Sequence, residues 1–207
     1  MANIFFDLDG TLINSSCRLY ELFVDLVPEC KMTKDEYWIL KRAKINHEMI
    51  LEKYFPTYSF KDFNTKWLEL IETEKYLNKN KLKAGVEKLL AKLSVKNELY
   101  IVTARQNKEF TYKELDRFGI KHFFKEIMVT EDKISKAELI KMKVKIDPED
   151  LFVGDTGFDI KTGKDLGIKT IAVSDGFLSA DNLKEYKPDY IITNVLDFEQ
   201  KEEVANE

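Results

Sequence analysis

The sequence predicts an α/β fold: a parallel sheet in a three-layer α/β/α core, with a small all-helical cap inserted after the first strand. Three observations predict it. From residue 84 onward, short apolar runs alternate with helix-period segments, the pattern of a parallel sheet covered on both faces. The segment 14–83 has helical spacing throughout and almost no β-branched runs. Carboxylates, hydroxyls and glycines collect just after the apolar runs, where open parallel sheets bind ligands. The chain of 207 residues thus divides into a core of 1–13 and 84–207 and a cap of 14–83.

Each element has a local reason. Asn3-Ile4-Phe5-Phe6 is an apolar strand that runs into Asp7-Leu8-Asp9-Gly10-Thr11. In the cap, Ser16 is placed to cap a helix carrying Leu19, Leu22, Phe23 and Leu26, which stops near Pro28. Thr33 and Glu36 fit a capping box for the next helix. His47 to Phe55 forms a third, ended by Pro56, and Asp62 to Leu77 a fourth with Phe63, Trp67, Leu70 and Ile71 on one face. No strand is expected in this block. In the core, helices are expected over 84–93, 108–118, 135–144 and 157–166. Ser135 and Glu138 make a second capping box, and Gly119 stops the helix before it. Strands are expected over 98–103, 126–129, 151–154, 168–173 and 190–192, and Asn194 can cap a closing helix. The polar tail from Glu199 is expected to fray.

Composition excludes several classes. With 44% hydrophobic residues a wholly disordered chain is excluded, and no apolar run approaches the roughly 18 residues of a membrane span. The N-terminus shows no basic leader or signal-peptide core, and two cysteines are too few for a disulfide scaffold. A cytoplasmic protein, monomeric or homodimeric, is the expectation. The 33 basic and 37 acidic residues give a net charge of −4, which disfavours nucleic acid as a partner. Only four of the basic residues are Arg, read here as a compositional bias.

The residues after the strands carry the chemistry. Asp7, Asp9, Gly10 and Thr11 follow the first strand, Thr103, Ala104 and Arg105 the second, and Asp155, Thr156, Gly157 and Asp159 the fourth. Lys133 and Lys136 precede the helix after the third. Crowded carboxylates repel unless a divalent cation sits among them, and Mg²⁺ prefers such hard oxygen ligands. A carboxylate beside the cation can attack phosphorus, while a lysine and a hydroxyl hold the phosphoryl oxygens. Backbone N–H groups at the helix starts after Gly10 and Gly157 add to an anion site.

Phe6-Asp7-Leu8-Asp9-Gly10-Thr11-Leu12 resembles the first motif of the haloacid dehalogenase-like superfamily. Ile101-Val102-Thr103 resembles the second, and Gly154-Asp155-Thr156-Gly157-Phe158-Asp159 the fourth. The likeness spans essentially the whole chain and is nearest the phosphoglycolate phosphatase and β-phosphoglucomutase-like branch, which has a helical cap at this point. The resemblance implies a Rossmannoid core, with Asp7 as nucleophile, Asp9 as general acid/base and Thr103 as a donor to the phosphoryl oxygens. It also implies Mg²⁺ held by Asp7, Asp155 and the main-chain carbonyl of Asp9, with Asp159 supporting its water shell. Aspartate at position 9 is the phosphatase and phosphomutase pattern; the transport ATPases carry Thr there. The Lys-Pro pair usual in the third motif of that branch is absent. Lys136 at a capped helix start fills the role, with Lys133 as its rival.

Other residues have plainer readings. Arg105 and Gln106 either face substrate or form a surface salt bridge. Asn14 could line the entrance between cap and core. His47 and His122 lack partners at metal spacing and are structural. Cys17 is packed, and the cap aromatics are mostly core. The function expected is a Mg²⁺-dependent phosphatase that hydrolyses a small-molecule phosphate monoester, a small phosphorylated metabolite, through an aspartyl-phosphate. The alternatives are a phosphomutase acting on a sugar phosphate and, from another class, a non-enzymatic binding protein on the same fold.

Overall fold

The structure is a computed structural model, and it describes residues 1–198. The expected fraying from Glu199, and the end of the core segment 84–207, lie outside the described residues. Six strands form one sheet in the order β5-β4-β1-β6-β7-β8, every neighbouring pair parallel. They are β1 (Asn3–Phe6), β4 (Glu98–Thr103), β5 (Phe124–Val129), β6 (Leu151–Gly154), β7 (Lys169–Val173) and β8 (Tyr190–Ile192). The central β1 is flanked by β4 and β6, so Phe6 lies level with Ile101 and Val153. Both faces of this sheet are buried, which is why Ile4, Phe5 and Phe6 are all apolar. One face packs Ile4, Phe6 and Ile101 on Leu90 and Leu115, and the other packs Phe5, Tyr100 and Phe152 on Ile140.

The core helices are α6 (Val86–Leu93), α7 (Lys108–Arg117), α8 (Lys136–Lys143), α9 (Gly157–Leu166) and α10 (Ala180–Lys184). Both expected capping boxes form: Thr33 and Ser135 each accept from the backbone of the residue three on and receive its carboxylate in return. A third forms from Thr156 and Asp159 at the start of α9. Asn194 caps a 3₁₀ turn, Val195–Asp197, and the rest of the expected closing helix lies outside the described residues. The short α10 has no apolar period over its five residues, so only its cap, Ser179 accepting from Asn182, marks it in the sequence.

The inserted block holds five helices: α1 (Ser16–Leu26), α2 (Lys34–Arg42), α3 (His47–Tyr54), α4 (Phe60–Leu70) and α5 (Glu74–Leu77). Three expectations need correction. Ser16 is inside α1 and Ser15 precedes it; the Asn14 side chain, expected at the entrance, accepts from both the N–H and the hydroxyl of Ser16. The single helix expected over 62–77 breaks at 71–73, because the Thr73 hydroxyl turns back on the Leu70 carbonyl and competes with the helix. The block is also bounded by strands: β2 (Ile13–Asn14) and β3 (Lys81–Leu82) pair antiparallel where the chain leaves and re-enters the core. Two residues per strand carry no periodicity, so the sequence pattern could not reveal this ribbon.

The cap has its own core. Phe23 and Tyr37 are fully buried, and His47 lies 4.2 Å from the Trp67 ring and 5.2 Å from that of Phe63. The Tyr37 hydroxyl meets His47 Nε2 at 2.8 Å. His47 is therefore a packing residue, as the sequence suggests.

Candidate active site

The site forms at the carboxyl edge of β1, β4 and β6. Asp7 continues β1, with its N–H donating to the Val153 carbonyl at 2.8 Å. The chain then turns sharply, Gly10 N–H donating to the Ile13 carbonyl with Gly10 at φ +89°. Thr103 ends β4 and Asp155 follows β6, both buried. The first turn of α8 supplies Lys136 and that of α9 supplies Asp159.

These residues converge. Lys136 Nζ lies 2.5 Å from Asp7 Oδ1 and 2.7 Å from Asp159 Oδ1. Lys133 points elsewhere; its side chain is exposed and pairs with Glu131. Asp159 also accepts from the N–H and hydroxyl of Thr156 at 3.0 and 2.6 Å, so its helix cap fixes its direction. Asp155 accepts from the Thr11 hydroxyl at 3.1 Å and the Phe177 N–H at 2.6 Å. Gly10 and Gly176 let the backbone close around it: a Cβ on either would stand 2.1 Å from Asp155 Oδ2.

The electrostatics divide the site. Burial pushes the Asp7 carboxyl up to about 7 against the pull of Lys136, with Asp159 and Asp9 adding to the rise. Burial, then Asp7 and Asp159, push Asp155 well above the usual carboxylate range. Asp7, Asp155 and Asp159 each offer an oxygen within 4.8 Å of the others. Two buried carboxylates destabilised as anions beside a third form a hard-oxygen set that a divalent cation would relieve, and this fits Mg²⁺.

Asp9 is in the opposite condition. Burial would raise its carboxyl, but Arg105 and Arg18 outweigh burial and hold it well below the usual range. Arg105 donates to both Asp9 oxygens, from Nε at 2.8 Å and Nη2 at 3.1 Å, and Arg18 Nη2 donates at 2.7 Å. Arg105 also pairs with buried Glu114 at 2.6 Å. Arg105 is 3% exposed, which overturns the surface salt-bridge alternative. The Gln106 N–H donates to Glu72 at 2.8 Å. Asp7, Asp9, Thr103 and Lys136 line a cavity of about 330 Å³ with Arg18, Arg105, Glu72 and Phe177.

The sequence reading missed Arg18 altogether. A signal existed: four residues before Leu22 and one before Leu19, Arg18 lies on the apolar stripe of α1, where a lysine-rich chain has no reason to put an arginine. The Lys83–Asp175 pair was also missed, and Thr11 and Phe177 were given no role toward Asp155. Lys83 Nζ donates to the Gly10 carbonyl at 2.6 Å and meets Asp175 at 2.5 Å, so it braces the loop that carries Asp9. Neither contact has a local pattern.

Fold and site together define a capped α/β hydrolase, with carboxylates at one sheet edge and a helical lid beside them. The chain belongs to the haloacid dehalogenase-like hydrolase family, whose model matches residues 4–173. Among curated proteins it is similar to the pyrophosphatase PpaX of Halalkalibacterium halodurans, 28% identical over 211 residues, covering 94% of this chain and 93% of that protein. The pyrophosphatase PpaX of Bacillus pumilus is likewise 28% identical over 210 residues, covering 94% and 93%. Among solved structures, a haloacid dehalogenase-like family hydrolase from Streptococcus pneumoniae superposes with a TM-score of 0.78 at 27% identity, over 97% of this chain and 98% of that one.

Proposed function

We propose that this protein is a Mg²⁺-dependent phosphatase that cleaves a small phosphorylated metabolite through an aspartyl-phosphate on Asp7. The observation that carries the reading is the convergence of Lys136 on Asp7 beside Asp155 and Asp159. Lys136 is held protonated: burial pulls its pKa down, but Asp159 and Asp7 outweigh burial. Its ammonium favours the ionised form of Asp7 against the burial that raises it, and then faces the phosphoryl oxygens, which Thr103 meets from the other strand end.

In the first half-reaction an Asp7 oxygen bonds to phosphorus as the bond to the leaving oxygen breaks. In the second, water attacks phosphorus, gives its proton to Asp9, and frees phosphate and the Asp7 carboxylate. With two guanidiniums on it, Asp9 is ionised and so in the form that takes a proton in this second step, but it is weakly basic until a guanidinium draws back. Protonating an alkoxide leaving group would require a guanidinium to withdraw. A phosphate leaving group departs as a stable anion and makes a smaller demand, so inorganic pyrophosphate, for which the relatives are named, heads the substrate panel. Mg²⁺ held by Asp7, Asp155 and the Asp9 carbonyl, with Asp159 behind, would supply charge that offsets the phosphoryl oxygens.

The test is phosphate release from pyrophosphate and a panel of phosphate monoesters, with Mg²⁺ and with chelator. Turnover is expected only with the metal, and Asp7→Asn is expected to lower kcat by about 10³-fold or more with its melting curve still cooperative. Full activity of a pure Asp7→Asn sample, or indifference to chelation, overturns the reading.

A further inference from the structure

Arg18 is buried to 5% exposure, yet it is under-used. Its Nη2 is on Asp9, while Nε and Nη1 are buried with no acceptor. A buried donor without a partner is costly, and a guanidinium is built to serve a planar anion with two donors at once. The neighbouring acids cannot satisfy it. Asp9 is shared with Arg105; Glu114 is shared between Arg105 at 2.6 Å and Arg117 at 3.2 Å. Glu72, on the same cavity, is committed to the N–H groups of Gln106 and Asn107 at 2.8 and 2.7 Å. Three guanidiniums therefore face two carboxylates, and the cavity that Arg18 lines also holds Asp7 and Lys136.

We propose that Arg18 and Arg105 form a second anion subsite, which binds an anionic group on the leaving side of the substrate. The substrate class is then a compact molecule with two anionic ends: one phosphoryl group at Asp7 and, at the arginines, a second phosphate or a carboxylate. A cavity of about 330 Å³ suits such a molecule. Arg18 comes from the cap and Arg105 from the core, so an anion between them ties the cap down over doubly charged substrates. This inference rests on the reading of Asp7 as the phosphoryl acceptor.

The test compares wild type with Arg18→Met and Arg18→Lys on three substrates: pyrophosphate, 2-phosphoglycolate and p-nitrophenyl phosphate, which has a single anionic group. In Arg18→Met, kcat/KM is expected to fall at least about tenfold more on pyrophosphate than on p-nitrophenyl phosphate, chiefly through KM, with partial recovery in Arg18→Lys. A matching fall on 2-phosphoglycolate assigns the subsite to carboxylates as well as phosphates; a fall on pyrophosphate alone assigns it to phosphates. Equal losses on all three substrates overturn the proposal. Pyrophosphate should also raise the melting temperature of the wild type more than inorganic phosphate does, and Arg18→Met should erase the difference. That readout needs no turnover, so an inactive wild type would sink the phosphatase reading while the subsite still stands or falls on the melting shifts. If Arg18→Met does not fold, Arg105→Lys carries the same comparison.

Discussion

At the residue scale, the site depends on groups that are absent as much as on those present. Gly10 carries both constraints at once: a φ of +89° and no room for a Cβ beside Asp155. Gly119, at φ +70°, has nothing within 4 Å of its own Cβ position. The two positions separate backbone strain from packing. Gly119→Ala should cost about 1 kcal/mol from the left-handed conformation alone. Gly10→Ala should cost more, and should also abolish any rise in melting temperature on adding Mg²⁺, because Asp155 must move. Thermal melts of both variants with and without Mg²⁺ check this; equal behaviour would remove the packing argument. Asp7, Asp9, Thr103, Asp155 and Asp159 were legible because each follows the end of an apolar run. Arg18 and Lys83 were not, since they reach the same place from the cap helix and from the ribbon.

At the element scale, the cap is an aromatic cluster around one imidazole. Burial, with Lys41 adding to it, pulls the His47 pKa from 6.5 down to about 2. In the unfolded chain His47 regains a value near 6.5. The unfolded state therefore binds the extra proton as pH falls below 6.5, and the folded state does not. The contribution of neutral His47 is fully present above that value and is lost progressively as pH drops toward about 2. The cap should loosen in acid, and His47→Phe should flatten the dependence of the melting temperature on pH between 6.5 and 4. An unchanged pH profile in that variant would show that His47 does not couple acid to cap stability. The capping boxes at Thr33 and Ser135 were readable because they are local, three residues apart. The break before α5 was not, because the local turn of the Thr73 hydroxyl onto the Leu70 carbonyl competes with a continuing helix, and the contact that favours the turn is distant: Glu72 accepts from the N–H groups of Gln106 and Asn107 at the start of α7.

At the scale of the whole molecule, cap and core are joined by long cationic side chains. Arg42, at the end of α2, donates to the carbonyls of Gly176 and Ser174 at 2.6 and 2.7 Å, and its own carbonyl accepts from Asn182 at 2.7 Å. Arg117 donates to the Leu77 carbonyl, and Arg18 reaches Asp9. Three of the four arginines thus bridge the two parts, and the low arginine count acquires a structural meaning that composition did not suggest. The short β2–β3 ribbon is the covalent link, a natural place for the cap to swing. Arg42→Ala should release one clasp: amide exchange at Ile13, Asn14 and Lys81 should speed by about fivefold or more, and KM should rise more than kcat falls. Unaltered exchange at the ribbon would show that Arg42 does not restrain it.

The sequence by itself determined the parallel sheet, the helical insertion and the carboxylates gathered at one sheet edge. Those features are written in local terms: periodicity, caps, and acids placed where a buried strand ends. Only the tertiary structure decided which lysine meets Asp7, that Asp9 is shared by two arginines, and that one of those is left short of acceptors. These are facts about side chains brought together across 96 and 129 positions of separation. Nothing in the neighbourhood of either residue encodes its partner; the closure of the sheet edge and the seating of the cap do.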